Sequence, residues 1–263
     1  MTDLADDAAL AADLVRDAGR LAARMRADGL TTHRKTSVSD VVTAADRAAE
    51  QLITDRLARE RPDDAVVGEE GTDRPGTSGR SWVIDPVDGT FNFVRGLTWW
   101  CSAIALRGPD DVLLGAVHHP HDDALFVGGP TLPSTRDGVP LARLEDRPLA
   151  ESCASTYLHP PFYDGEVGAA FVRAVSGVAT LRMLGSGTMD QMAVAQGQMD
   201  VLFQHSVPDW DWYPGVAIVR GAGGAARRVT AGGVAWSVAG VPTAVAEVCA
   251  ALEAEQPGGQ PTG

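Results

Sequence analysis

Between residues 3 and 28 the apolar positions Leu10, Leu14, Ala18, Leu21 and Met25 recur at steps of three and four, with acids and arginines opposite. That spacing draws one apolar stripe along a helix and predicts an amphipathic α-helix stopped at Gly29. The next stretch, KTSVSDVVTAADRAAEQLITDRLARERP, predicts an extended piece and then a helix over 43–59, with Pro62 just beyond it. Thr43 can cap this helix, with Asp46 three residues on as the acidic partner of a capping box. The pattern then shifts to short apolar runs. AVVGEEG, with two acids at its tip, RSWVIDP, 99–106 (WWCSAIAL), 112–118 (VLLGAVH) and ALFVGG read as strands, with GPDD turning between the third and fourth. Past residue 150 both patterns mix. ESCASTY and VLFQ predict strands, while 166–176, 188–197 and the apolar run after DWDWYPG predict helices. The turn-rich PSTRDGVPLARLEDRPLA marks a boundary. It divides an N-terminal α+β half (1–150) from a C-terminal α/β half (151–255), and residues 256–263 read as a disordered tail.

Composition narrows the class. With 263 residues, 44% hydrophobic and 22% charged, the chain can bury a large core as one domain or two tightly joined ones. No run of about 18 apolar residues suggests a membrane span. The N-terminus is acidic and amphipathic rather than basic and then apolar, so a cytoplasmic protein is expected. Cys101, Cys153 and Cys249 are widely spaced and odd in number, which argues against a disulfide framework and a zinc cluster. A net charge of −13 is a poor match for nucleic acid. It also burdens any phosphorylated substrate, and a bound cation would offset that burden.

The candidate chemistry centres on residues 82–93, WVIDPVDGTFNF, where an apolar run ends in Asp85 and Asp88 and breaks at Gly89-Thr90. Two readings stand: a turn whose aspartates bond local backbone, or a hard divalent cation held by oxygen ligands beside a phosphate. In the second, Gly89 and Thr90 open a helix whose free N–H groups face the anion. Elsewhere, VVGEEG carries Glu69 and Glu70 to a strand end. KTSVSDVVTAAD places Lys35, Thr36, Asp40, Thr43 and Asp46 ahead of a helix, and PDWDWYPG starts another with Asp211. Taken singly, these acids read as a solvated loop acid, a cap and a helix N-terminal acid.

Taken in order, VTAAD, GEE, WVIDPVDGTFNF, and WD before an apolar helix and GAGG resemble the inositol monophosphatase family, over residues 10–230. RDGVPL resembles the family's Asn-Gly turn segment, and LRMLGSGTMDQMAVAQGQMDVLF its glycine-led helix and following strand. The resemblance implies a layered αβαβα sandwich of the inositol monophosphatase/fructose-bisphosphatase type, with two to three Mg²⁺ ions in a cleft between the halves. It further implies a homodimer and a lithium-sensitive hydrolase of a small phosphorylated metabolite, with myo-inositol monophosphate first and histidinol phosphate next. Sugar and adenosine bisphosphates come behind these.

By position, the resemblance implies that Glu69, Asp85 and the Val87 carbonyl hold a first ion, that Asp85, Asp88 and Asp211 hold a second, and that Glu69 helps a looser third. Asp46 and Thr90 match the pair that orients the attacking water, with Glu69 beside it. Gly89 and Thr90 match the N–H donors to phosphate, and Lys35 a lysine near its pocket. Gly185, Ser186, Gly187 and Gln204 match positions that read substrate hydroxyls, with Asp211 alongside. Gln204 departs from the family's glutamate and loses a charge-assisted bond. Phe91 replaces a small or polar residue. Both departures concern the substrate and leave the metal ligands intact.

Other readings fit less well. A phosphoaspartyl phosphatase of the haloacid dehalogenase type needs one residue between its aspartates, and here Pro86 and Val87 intervene. An EF-hand counted from Asp85 meets Val87, Gly89 and Gly96 where it needs oxygen ligands. A non-catalytic metal-binding protein would not need the complete ligand set. HHPHDD (118–123) reads as a solvated hairpin turn, because adjacent His118 and His119 on a strand face opposite sides. Trp99, Trp100, Met183, Met189, Met192 and Met199 read as core or interface.

Overall fold

The computed structural model describes residues 3–29, 32–34 and 41–254. In chain order these form α1 (Leu4–Ala27), β1 (Thr32–Arg34), β2 (Val41–Thr43), α2 (Ala44–Glu60), β3 (Ala65–Gly68), β4 (Asp73–Arg74), β5 (Ser81–Asp88) and α3 (Thr90–Arg95). Then come β6 (Cys101–Arg107), β7 (Val112–His119), β8 (Ala124–Gly129), β9 (Leu132–Arg136), β10 (Val139–Pro140), β11 (Cys153–Tyr157), α4 (Gly165–Val175) and β12 (Thr180–Arg182). The chain finishes with α5 (Gly187–Ala195), β13 (Val201–His205), α6 (Asp209–Gly221), β14 (Ala225–Ala231), β15 (Val234–Gly240) and α7 (Pro242–Glu253). The termini of the described segments leave out Lys35, Thr36, Asp40 and the expected tail, 256–263. The cap expected of Thr43 also rests on a side chain outside the described residues.

Two large sheets stack with helices around and between them. The first has eight strands in the order β10-β9-β8-β7-β6-β5-β3-β4, antiparallel except for the β3–β5 pair. The second has five, β12-β11-β13-β15-β14, parallel on its β12, β11 and β13 side. Helices α1 and α2 cover the outer face of the first sheet, burying Leu10, Leu14, Ile53 and Leu57 against Trp82, Ile84, Ile104 and Leu106. Helices α5 and α6 fill the space between the sheets, where Met189, Met192, Val216 and Ile218 meet Ala103, Ala105 and Leu202. Helices α4 and α7 cover the outer face of the second sheet over Phe203, Trp236 and Val238. The result is the expected αβαβα sandwich, each sheet covered on both faces.

Two local features position the site. In β5, Ile84 packs with α1 and α2, so Asp85 points to the middle layer. Strict alternation would return Asp88 to the α1/α2 side. However, Asp85 pairs with Ala103 and Asp88 with Cys101, so three steps on β5 match two on β6. This β-bulge turns Val87 into the small core with Ala22, Ala45, Phe93 and Trp100 and leaves Asp88 on the same side as Asp85. The second feature is the fit of α6 onto the first sheet. A Cβ at Gly115 on β7 would stand 2.1 Å from the Pro214 carbonyl oxygen, so only glycine lets the helix lie this close.

The structure corrects several expectations. The turn-rich segment before residue 150 contains β9 and β10, joined through Asp137 (φ 53°) and Gly138 (φ 78°), a positive-φ pair suited to a two-residue hairpin. His118 and His119 are not in a solvated turn. They end β7 and are buried, because α1 and α6 cover both faces of the sheet there. The exposed turn is confined to Pro120–Asp123, where His118 Nε2 meets Asp123 at 3.0 Å and His119 Nε2 meets the Thr98 carbonyl at 2.9 Å. Strand β6 begins at Cys101 rather than 99, with Trp100 turned edge-on to Phe93 at 4.7 Å. Met183 is 47% exposed, unlike Met189, Met192 and Met199.

Candidate active site

Asp85, Asp88 and Asp211 converge in the middle layer, with one carboxylate oxygen from each within 4.8 Å of the others. Asp85 and Asp88 come from the bulged end of β5, and Asp211 from the first turn of α6. Glu69 lies in the turn after β3, outside that 4.8 Å set but near enough to feel Asp211, Asp46, Glu70 and Asp88. Burial, and then the neighbouring acids, push Glu69 up to about 8. Burial and Asp88 push Asp211 up to about 7. Asp85, 1% exposed, is held well above the carboxylate range by burial, then by Glu69, Asp88 and Asp211.

Two like charges about 4 Å apart repel by about 4 kcal/mol at an effective dielectric of 20. Several such pairs are a large load on a fold whose net stability is about 5–15 kcal/mol. Asp85 Oδ1 is also buried with no hydrogen-bond partner. An all-oxygen donor set with excess negative charge and an unsatisfied buried acceptor is suited to a hard divalent cation.

The surroundings fix this geometry. Asp88 is buried, which raises its pKa. Against that, its Oδ2 accepts from Ser186 Oγ at 2.8 Å and from the Thr188 backbone N–H at 2.6 Å. Ser186 is also the N-cap of α5. Its hydroxyl is therefore committed to Asp88 rather than free in the cleft. Thr188 and Gln191 on α5 donate to the Asp211 carbonyl at 3.5 and 3.4 Å, tying α5 to the first turn of α6. Gly89 caps α3 at φ 87°, and a Cβ there would meet the Ser186 Cβ at 3.0 Å. Thr90 Oγ1 donates to the Val87 carbonyl at 3.0 Å, so that carbonyl and the hydroxyl lie together at the turn. Asp46 is buried in the first turn of α2, within electrostatic reach of Glu69. Gly185 is left-handed (φ 85°) against Asn92. Gly187 follows it, and a Cβ on Gly187 would lie 3.6 Å from Gln204 Oε1. Lys35 lies outside the described residues, and Phe91 is 43% exposed.

Three residues not anticipated from sequence support this arrangement. Glu50 on α2 accepts from the Glu70 N–H at 2.8 Å, the Thr72 N–H at 3.1 Å and Thr72 Oγ1 at 2.7 Å, which clamps the turn carrying Glu69. Asn92 Nδ2 donates to the Trp99 and Leu184 carbonyls, both at 2.8 Å, linking α3 to the segment before α5. Asp190 on α5 is buried and accepts from Trp99 Nε1 at 2.8 Å and from Ser155 on β11, while burial holds its carboxyl up at about 7. A signal existed for two of them. Glu50 and Asp190 each lie four residues after a polar residue of interest, Asp46 and Ser186, on one helix face.

The chain is similar to known proteins over most of its length. The model of the inositol monophosphatase family matches residues 3–256. An inositol-1-monophosphatase of Rhizobium meliloti is 32% identical over 203 residues, 74% of each chain. The Nus factor SuhB of Escherichia coli is 30% identical over 230 residues, 85% of each chain. Among solved structures, the IMPase of Thermotoga maritima superposes with a TM-score of 0.81 at 27% identity, covering 94% of this chain and 96% of that one.

Proposed function

Since the chain belongs to the inositol monophosphatase family and is thereby a phosphoric monoester hydrolase, we propose that it cleaves a small phosphorylated metabolite by direct attack of water, with two to three Mg²⁺ ions as cofactor. The observation that carries this reading is the convergence of buried Asp85 and Asp88 with half-buried Asp211, acids whose charge no described side chain neutralises. Bound divalent ions would offset the phosphate charge, strengthen a water as nucleophile and stabilise the departing alkoxide.

The chain's own residues divide the remaining work. Asp85, Asp88, Asp211, Glu69 and the Val87 carbonyl offer the oxygen ligands. Glu69 and the Thr90–Asp46 pair orient the attacking water and take up its proton. Gly89 and Thr90 direct backbone N–H groups at the phosphate, and Ser186 and Thr188 keep the Asp88 carboxylate from turning away. Lys35, the one lysine in the chain, adds a positive charge near the phosphate.

Relatives named inositol-1-monophosphatase make myo-inositol phosphate the first candidate ester, and histidinol phosphate stays the alternative. A cytoplasmic homodimer acting on a metabolite, without nucleic acid or membrane, fits the net charge of −13 and three free cysteines. None of the described helices is long and apolar enough to cross a membrane. The test is phosphate release from a dozen monoesters with and without Mg²⁺. Release that requires Mg²⁺ and is inhibited by Li⁺ is expected. No Mg²⁺-dependent release from any of them would overturn the reading.

A further inference from the structure

Beyond the metal cluster, the cleft has a wall at the C-terminal ends of β11 and β13. Tyr157 and Gln204 are register partners on these parallel strands, so their side chains leave the sheet on one face. That face is the middle-layer one. Ser155, two residues before Tyr157, bonds Asp190 of α5, and Gln204 lies beside Gly187 at the start of α5. Beyond the strand, the His159 ring stands edge-on to the Tyr157 ring at 4.6 Å. The turn Pro160–Phe162 that follows is pinned from behind, where Phe162 packs on His205 at 4.6 Å and His205 on Trp236 at 5.3 Å. Tyr157, His159 and Gln204 all remain partly exposed.

The chemistry of this wall differs from that of the metal cluster. Gln204 is a neutral amide, Tyr157 offers a ring with a phenol tip, and burial lowers the pKa of His159, which favours its uncharged form. The three supply no carboxylate to grip a polyol by charge-assisted bonds and no fixed cation for a second phosphate. They do supply two aromatic faces held at a set angle.

We propose that Tyr157 and His159, together with Gln204, form the specificity wall for the alcohol part of the substrate, and that they favour a flat aromatic or heteroaromatic group over a polyol. This rests on the hydrolase reading above and narrows it, placing imidazole- or base-bearing monoesters ahead of inositol phosphate.

The test compares kcat/KM for 2-phenylethyl phosphate and glycerol 2-phosphate, both alkyl esters, in the wild type, Tyr157→Leu, Tyr157→Phe and His159→Ala, with Mg²⁺ present. An aromatic contact of this kind is worth about fivefold to tenfold. Tyr157→Leu and His159→Ala should lose that factor on 2-phenylethyl phosphate and stay within about twofold on glycerol 2-phosphate. Tyr157→Phe, which keeps the ring, should behave as wild type. Equal losses on both esters, no loss on either, or a Tyr157→Phe defect as large as that of Tyr157→Leu would overturn the proposal while leaving the hydrolase intact. Wild-type protein that releases phosphate from neither ester, while hydrolysing another monoester of the panel above, would overturn the wall alone, and release from no monoester would bring down both.

Discussion

Two groups of acids are withdrawn from water around the first sheet, and they are handled in opposite ways. Asp7 and Asp64 sit under α1 and the start of the first sheet. Arg61 reaches Asp7 at 2.7 Å, while Arg80 bridges Asp7 at 2.6 Å and Asp64 at 2.7 Å. Ser78 and the Trp82 indole complete the shell of Asp64 at 2.7 and 2.9 Å. Burial alone would raise the Asp64 pKa. The bonds from Arg80, Ser78 and Trp82 outweigh it and hold the carboxyl below its usual range. Asp85 and Asp88 are buried and Asp211 and Glu69 half-buried, but among the described residues no arginine pairs with them, and all four are pushed up. A chain with 21 arginines could have supplied one. The contrast separates acids that hold the fold from acids kept available for a ligand.

Asp85→Asn tests the difference most severely. Removing one preorganised charge from a catalytic site costs about 10²–10³-fold in turnover, and at Asp85, proposed to serve two ions, we expect about 10³-fold. The same variant should melt no lower than wild type in a chelating buffer, since it relieves repulsion. A drop of several degrees, or near-normal turnover, would erase the contrast.

Asp64→Ala should do the reverse. Breaking a buried pair costs about 3–5 kcal/mol, and because the Arg80 side chain is 20% exposed and keeps Asp7 at 2.6 Å, this loss should be about 3 kcal/mol. Urea unfolding should show that loss while kcat and KM hold. Asp64 also predicts a pH effect. Its pKa is lower in the folded protein than the unfolded value of about 3.9, so its stabilisation is complete above that value. It is lost as the pH falls through the folded value, and an acid-unfolding curve should lose this component in Asp64→Ala.

Glu50 sharpens the comparison from the boundary, as a buried acid that holds backbone rather than arginine. Glu50→Gln turns an amide N–H toward donors and should loosen the turn bearing Glu69. Second-sphere partners of this kind are worth about 10–100-fold in metal affinity or activity. The Mg²⁺ concentration for half-maximal rate should rise by about tenfold with far-ultraviolet circular dichroism unchanged. An unshifted Mg²⁺ dependence would make Glu50 purely structural.

Much of this was legible in the chain. Asp85, Asp88, Glu69 and Asp211 stood out because each ends a strand or opens a helix, where a carboxylate interrupts an apolar pattern. The larger elements up to residue 129, α1, α2, β3 and β5 to β8, follow from periodicity and turn signals. Residues 225–253, a hairpin and a helix, were not anticipated. Gly232 and Gly233 at φ 60° and 78° make their turn, but the strand before it, AARRVTA, has no clean alternation. Asn92 and Tyr157 were invisible for another reason. Their partners are 92 and 47 residues away along the chain, and only the stacking of two sheets brings them near. His118 and His119 misled because polar composition reads as solvent exposure, whereas a sheet covered on both faces buries every position of a central strand.

The bulge in β5 gives the Asp-Pro-Val-Asp stretch a parity rule. Were the ladder to close up at this length without the bulge, the second aspartate would aim through the sheet toward the helices behind it. Side chains in this loop can be exchanged singly at graded expense, but the three-residue step and the bulge go together, because either without the other turns the second aspartate to the opposite face.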